Sequence, residues 1–363
     1  MATVNPIRLF LAAALLLFTT AASANKNNTV PPESFHLQYQ LLQQQLFQYQ
    51  QLAKNGGWQK IVPAKKFYMK GDASPVVKQI KKRLIASGHL EAGDVSEIFT
   101  DELVSAVKKV QRQFGYKENG VVDAQLIKAL NVPLAQRLKQ LQVNMDRLSK
   151  VSTVSEGTWL VANIPEFKLH VYENGQHVFD MDIVVGTQSN NNVVFDNEMK
   201  QVVFSPYWNV PPSIVKSEIL PAMKKNRNYL SANGYEQVGT ENGLPKIRQK
   251  PGKKNSLGLV KFLFPNSHNI YFHDTPAKSL FQLPKRTFSH GCIRLAEPQK
   301  LAEYLLRNNP EWNTAKIEKA MNSGKELAVN LSQPVPVSIS YFTAWVDQEG
   351  VLSFREDVYG MDK

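Results

Sequence analysis

Apolar positions recur along this chain with two different periods, and the period changes near residue 150. In the first half the spacing is helical. A Gln-rich tract carries Leu37, Leu41, Leu42, Leu46, Tyr49 and Leu52, which predicts one amphipathic helix ended by Gly56-Gly57. Val76, Val77, Ile80 and Leu84 share the face of a second helix that Gly88 closes. Thr100 is placed to cap a third, with Asp101 and Glu102 in its first turn and Leu103, Val107, Val110 and Phe114 as its buried stripe. Asp123 caps a short fourth helix holding Leu126, Ile127 and Leu130, and Pro133 follows. Leu138, Leu141, Met145 and Leu148 predict one more helix.

Beyond residue 157 the β-branched and aromatic residues cluster. Residues 158–163 and 167–172 read as strands, Asn174-Gly175 as a hairpin turn, and 179–185 and 201–204 as further strands. From Tyr207 to Lys254 the strands give way to a Pro-, Lys- and Asn-rich insert with a helix expected near 214–225. Strands resume at 259–264 and 269–273, a helix at 301–307, and strands at 335–345 and 351–354 around Glu349-Gly350. The expected class is α+β: an N-terminal helical module, then a mostly β domain with a helical capping insert.

Composition narrows the setting. With 363 residues and 43% apolar content, the chain can bury two modest cores. Residues 1–24 read as an export signal: Arg8, the apolar run 9–18, then Ala22-Ser23-Ala24. The expectation is an exported, periplasmic protein with no integral membrane segment in its mature chain. The formal net charge of +12 suits an anionic partner such as a wall polymer. No basic motif interleaved with aromatics appears, which argues against nucleic acid. Cys292 is the single cysteine, so no internal disulfide forms, and an odd thiol outside the cytoplasm is a candidate reactive group.

A nucleophilic thiol needs a base and donors for the developing oxyanion. In Ser289-His290-Gly291-Cys292-Ile293-Arg294, Gly291 lets the backbone approach a carbonyl, and Arg294 lies on the same side as Cys292 if the segment is extended. There Arg294 would lower the thiol pKa or hold a substrate carboxylate. Of the seven histidines, His36, His89, His170, His177 and His268 read as ordinary surface residues. His273 ends a strand beside a turn and is the expected base; His290 is expected to shape the pocket.

Two resemblances follow from these residues. Val77-x-x-Ile80 with Leu84, Ala106-Val107-x-x-Val110-Gln111-x-x-Phe114-Gly115, and Asn119-Gly120-Val121-Val122-Asp123 resemble the three-helix peptidoglycan-binding module of wall enzymes. Asn269-Ile270-Tyr271-Phe272-His273-Asp274-Thr275-Pro276, followed by Ser289-His290-Gly291-Cys292-Ile293-Arg294-Leu295, resembles the signature of YkuD-type L,D-transpeptidases, nearest the longer YcbB-type murein enzymes. The resulting expected layout is a signal at 1–24, leader and amphipathic helix at 25–69, helical module at 70–133 and connecting helix at 134–157. A catalytic domain then occupies 158–361, with 207–254 as its cap.

The transpeptidase resemblance implies a mechanism and a site. Cys292 forms a thioester with a tetrapeptide stem, D-alanine leaves, and an amine of another stem attacks to give a 3-3 cross-link. His273 is implied as base and acid, its ring oriented by the Asp274 carbonyl, with Gly291 and Cys292 as oxyanion donors. Ser289, His290, Arg294, Tyr207 and Trp208 are implied to line the substrate site. No metal or other cofactor is implied, and the partners are peptidoglycan stem peptides. Three alternatives stay open: a non-catalytic peptidoglycan-binding protein, a cysteine-dependent wall peptidase and an L,D-carboxypeptidase. The sequence fixes neither the acyl acceptor nor the oligomeric state.

Overall fold

The computed structural model describes residues 35–151, 154–190, 193–346 and 350–363. The expected export signal, the leader 25–34 and Glu349 of the expected turn lie outside these residues. Among the described residues five helices come first: α1 (Phe35–Lys54), α2 (Pro75–Ala86), α3 (Asp101–Gln113), α4 (Ala124–Leu130) and α5 (Leu134–Leu148). The capping residues act as their chemistry dictates. Thr100 accepts from the Leu103 N–H at 3.4 Å and Asp123 from the Leu126 N–H at 2.8 Å. Two-residue strands β1 (Phe67–Tyr68) and β2 (Val122–Asp123) tie the module's ends together. In the basic run 81–83 only Lys82 is exposed. Lys81 is buried against Asp94 and Ser96, and the Arg83 guanidinium lies 3.6 Å from the centre of the Trp58 ring. The aromatic face and the ion pair compensate for lost hydration.

The second half is built on a closed ring of strands. These are β3 (Thr158–Asn163), β4 (Lys168–Glu173), β5 (Gln176–Gly186) and β6 (Phe195–Phe204), with β10 (Val260–Leu263), β11 (Phe272–His273), β13 (Ile293–Leu295) and β14 (Leu327–Ser340). Their order is β5-β13-β11-β10-β6-β14-β3-β4, and β4 pairs back onto β5. The long β5 makes this closure. Its first part pairs with β4, its later residues Ile183 and Val184 with β13, and its end with β12 (Thr287–Ser289). Leu160, Leu169, Ile183, Phe204, Phe262 and Phe272 alternate inward and fill the ring. β14 begins eight positions before the expected Val335. Its Pro336 is tolerated because β3 pairs only with Val337–Ser340, which leaves one edge free at the proline.

The insert is more than a helix. β7 (Trp208–Asn209), β8 (Tyr235–Glu241) and β9 (Leu244–Gln249) form a separate sheet in the order β7-β9-β8. The helical run through residues 212–225 packs on it around Val210, Ile214, Val215, Ile219 and Ile247. The β8–β9 hairpin turns at Asn242-Gly243, both at positive φ.

The end of the sequence crosses back. β15 (Ala344–Val346) and β16 (Leu352–Phe354) form a hairpin whose Ala344, Val346 and Phe354 belong to the helical core. Polar side chains fix the seam. The Gln38 amide pairs with Val346 through both its N–H and its C=O, and Asn144 likewise holds Thr343. The helical and β halves thus share one chain end as a joint.

Candidate active site

β11 and β13 are parallel neighbours, with Phe272 opposite Ile293 and His273 opposite Arg294. That register sets Cys292, one residue before β13, alongside Tyr271, whose C=O accepts from the Ile293 N–H at 3.1 Å. Parallel pairing aligns residues 21 positions apart, so Cys292 stands two positions from the level of His273 on the neighbouring strand. The half-buried Cys292 thiol points at the Asn269 C=O, 3.6 Å away.

His273 is buried, and its Nδ1 lies 2.5 Å from the Asp274 C=O. A carbonyl only accepts, so Nδ1 carries the proton and Nε2 keeps its lone pair. Burial first, then the positive charges of Arg294 and Lys278, push the His273 pKa down to about 3. Burial also raises the Cys292 thiol, against the opposing pull of hydrogen bonding from Tyr271 and of the Arg294 charge. The expected lowering of the thiol by Arg294 is real but smaller than the desolvation. At neutral pH the resting pair is therefore imidazole and thiol, not an ion pair.

Asp274 sets the ring's acceptor in place. Its carboxylate accepts from the Leu259 N–H at 2.9 Å and from Lys278 Nζ at 2.7 Å, and its N–H donates to Val260 at 2.9 Å. Gly258 sits at φ +61°, and a Cβ there would overlap this carboxylate.

Ser289 is buried rather than open to a ligand. Its hydroxyl donates to the Cys292 C=O at 2.5 Å and accepts from the Gly291 N–H at 3.2 Å. Gly291 adopts φ +117°, a conformation that favours glycine. Ser289 thus folds the loop that carries Cys292. For the thioester chemistry proposed below, replacing it with Ala is expected to lower acylation of Cys292 about tenfold or more, by loosening the position of the thiol. The measurement is single-turnover acylation with KM followed alongside, and an unchanged rate would remove that positioning role.

The remaining expected residues divide. His290 Nε2 meets Glu218 of the insert at 3.0 Å. Trp208 and the Cys292 thiol both lie close enough to the Tyr271 phenol to affect its titration, and burial first, then the thiol, raises it. Tyr207 is turned toward the insert, with Arg248 stacked 4.0 Å from its ring centre and its N–H on Glu326. Arg294 has a buried Nε without a hydrogen bond, and among the described residues no carboxylate pairs with it.

Tyr271, Gly258, Glu218 and the Asp274 carboxylate are absent from the sequence reading of the site. Only Tyr271 left a usable signal: it stands two residues before His273 in a strand and so shares its face, with the rings 5.7 Å apart.

Comparison with known proteins finds matches for both parts of the chain. Residues 157–322 match the YkuD family model, described as "L,D-transpeptidase catalytic domain", and residues 73–130 match one described as "Putative peptidoglycan binding domain". A curated protein of Haemophilus influenzae named "Putative L,D-transpeptidase" is 30% identical over 241 residues, covering 62% of this chain. The chain spans about half the length of that relative, 48%. Among solved structures, an L,D-transpeptidase from Mycobacterium smegmatis is 12% identical, covers 50% of this chain and 58% of its own, and has a TM-score of 0.27. An L,D-transpeptidase from Stackebrandtia nassauensis is 13% identical, covers 75% and 94%, and also has a TM-score of 0.27. Residues 157–322 are an L,D-transpeptidase catalytic domain of the YkuD family, and a peptidoglycan-binding domain at 73–130 precedes it.

Proposed function

We propose that this protein joins peptidoglycan stems through a thioester on Cys292. His273 Nε2 takes the thiol proton as Sγ attacks the carbonyl before the terminal D-alanine of a tetrapeptide stem. The Cys292 N–H, which has no partner among the described residues, and the Gly291 N–H after exchange from Ser289, receive the oxyanion. The C–N bond breaks, His273 returns the proton to the leaving amine, and D-alanine departs. An amine of a second stem then attacks the thioester and gives its proton to His273. The new amide is the 3-3 cross-link, and the thiol is restored.

The observation that carries the reading is the base-nucleophile pair itself. A neutral His273, tautomer set by Asp274, and the Cys292 thiol stand on adjacent parallel strands. The unpaired Arg294 guanidinium suits a stem carboxylate, and Trp208 with Tyr271 supplies an aromatic wall. The helical module would hold the polymer; that supports work at the cell wall and, with the expected export signal, in the periplasm. No helix among the described residues is long and apolar enough to cross a membrane.

The test is mass spectrometry of the purified chain incubated with tetrapeptide muropeptides. The expected result is an acyl adduct on the peptide containing Cys292, stoichiometric D-alanine release, and cross-linked dimers. Cys292→Ala should show none of the three. D-alanine release without dimers would replace cross-linking by hydrolysis, and neither adduct nor release would sink the thioester.

A further inference from the structure

The sequence reads His170 and His177 as ordinary surface residues, but with Asp180 they form a group. They converge on the outer face of the β4–β5 hairpin. One ring nitrogen from each histidine and one Asp180 oxygen lie within 4.8 Å of one another. The cause is a bulge. His170 stands opposite Asp180 and Tyr172 opposite His177, with a register shift between Val171 and Tyr172. Regular alternation would put His177 and Asp180, three positions apart, on opposite faces. The extra residue, Val178, inverts the parity and brings both to the face that His170 occupies. Bulges re-aim side chains at a cost in pairing, so one that gathers two imidazoles and a carboxylate asks for a reason.

We propose that this face binds one divalent transition cation of the zinc class through His170, His177 and Asp180. His177 Nε2 is buried at the atom and makes no hydrogen bond. A buried nitrogen without a partner costs stability unless something occupies its lone pair. Asp180 Oδ2 is the nearest carboxylate oxygen, at 3.9 Å. Its other oxygen holds Lys168 Nζ at 2.6 Å, so Oδ2 is the one left for an ion. Two ligands on a tetrahedral zinc stand about 3.4 Å apart, so closing this pair takes about half an ångström. Glu166 Oε2 lies 2.9 Å from His170 Nε2, the carboxylate partner that commonly orients a metal-bound imidazole; Nδ1 is then free for the ion. Two imidazoles select zinc, cobalt, nickel or copper over magnesium and calcium. The site is separate from the thiol: Asp180 precedes Val184, which faces Arg294, by four positions, or about 13 Å along β5.

The test titrates ZnCl2 into the metal-stripped full chain by calorimetry, with Cys292→Ser as the background. That substitution removes the other soft ligand. Cobalt absorption in the visible reports coordination geometry independently. The expected result is one equivalent bound in both wild type and Cys292→Ser, with a cobalt spectrum. His177→Ala and the near-isosteric Asp180→Asn should each weaken binding about tenfold or more. Circular dichroism confirms that both variants are folded. Equal binding by His177→Ala, binding lost only in Cys292→Ser, or no binding at millimolar zinc would each overturn the proposal.

Discussion

His273→Ala should slow Cys292 acylation by about 100- to 10,000-fold, the range typical of losing a positioned general base. Truncating a buried ring also leaves a cavity, so His273→Gln serves as the bulkier companion; both should fold and both should be slow. The wild-type pH profile carries the sharper expectation. The acid limb appears only when Nε2 takes a proton in the free enzyme, and burial with Arg294 and Lys278 nearby moves that event down to about 3. As pH falls, single-turnover acylation should therefore stay flat through 6.5, where an ordinary histidine would protonate, and decline only near 3 to 4. On the alkaline side the plateau should extend past the usual thiol range, because burial raises Cys292. A half-maximal point near 6.5 would mean that Nε2 takes a proton as an ordinary imidazole does, and would sink the account in which burial, Arg294 and Lys278 hold the ring neutral.

The second large effect is on stability. Gly258→Ala puts a Cβ into the Asp274 carboxylate at a backbone φ of +61°. Left-handed strain and overpacking together should cost about 2–4 kcal/mol, or roughly 5–12 °C in Tm. Gly157→Ala is the control, since its φ is +72° and nothing lies within 4 Å. It should show the conformational cost alone. The difference measures how firmly Asp274 is held. Acylation should fall in Gly258→Ala and not in Gly157→Ala, because the displaced carboxylate carries the Asp274 C=O that orients His273. Equal melting temperatures for the two variants would contradict the overlap.

Local signals explain most of what the sequence could tell. The capped helices at Thr100 and Asp123, the Asn174-Gly175 hairpin and the two chemical segments are all written within a few residues of where they act. What escaped depends on distant pairing. The closure of the ring rests on β5 meeting both β4 and β13, which no window of the sequence contains. The insert's sheet escaped because β8 is largely exposed, so its residues lack an apolar alternation; Asn242-Gly243 was the overlooked clue. The role of the Asp274 carboxylate escaped because its partners, Leu259 and Lys278, lie 15 positions before it, in the turn ahead of β10, and four after it, at the start of a 3-10 helix. The grouping of His170 with His177 was hidden by a single bulged residue, since parity along a strand is legible only while pairing stays regular.

The C-terminal hairpin has a consequence for how the molecule is made. Gln38 bonds to Val346 across 308 positions, and Phe354 completes the core begun by α2 and α3. As the chain grows, the helices emerge first and find no cover for that part of their apolar surface until residues 342–354 have been synthesised. Contacts this remote are entropically slow to form. The early half must therefore wait, partly open, for the late half, and the interval invites a holding chaperone. Order of synthesis and order of completion run in opposite directions: the module made first is sealed last.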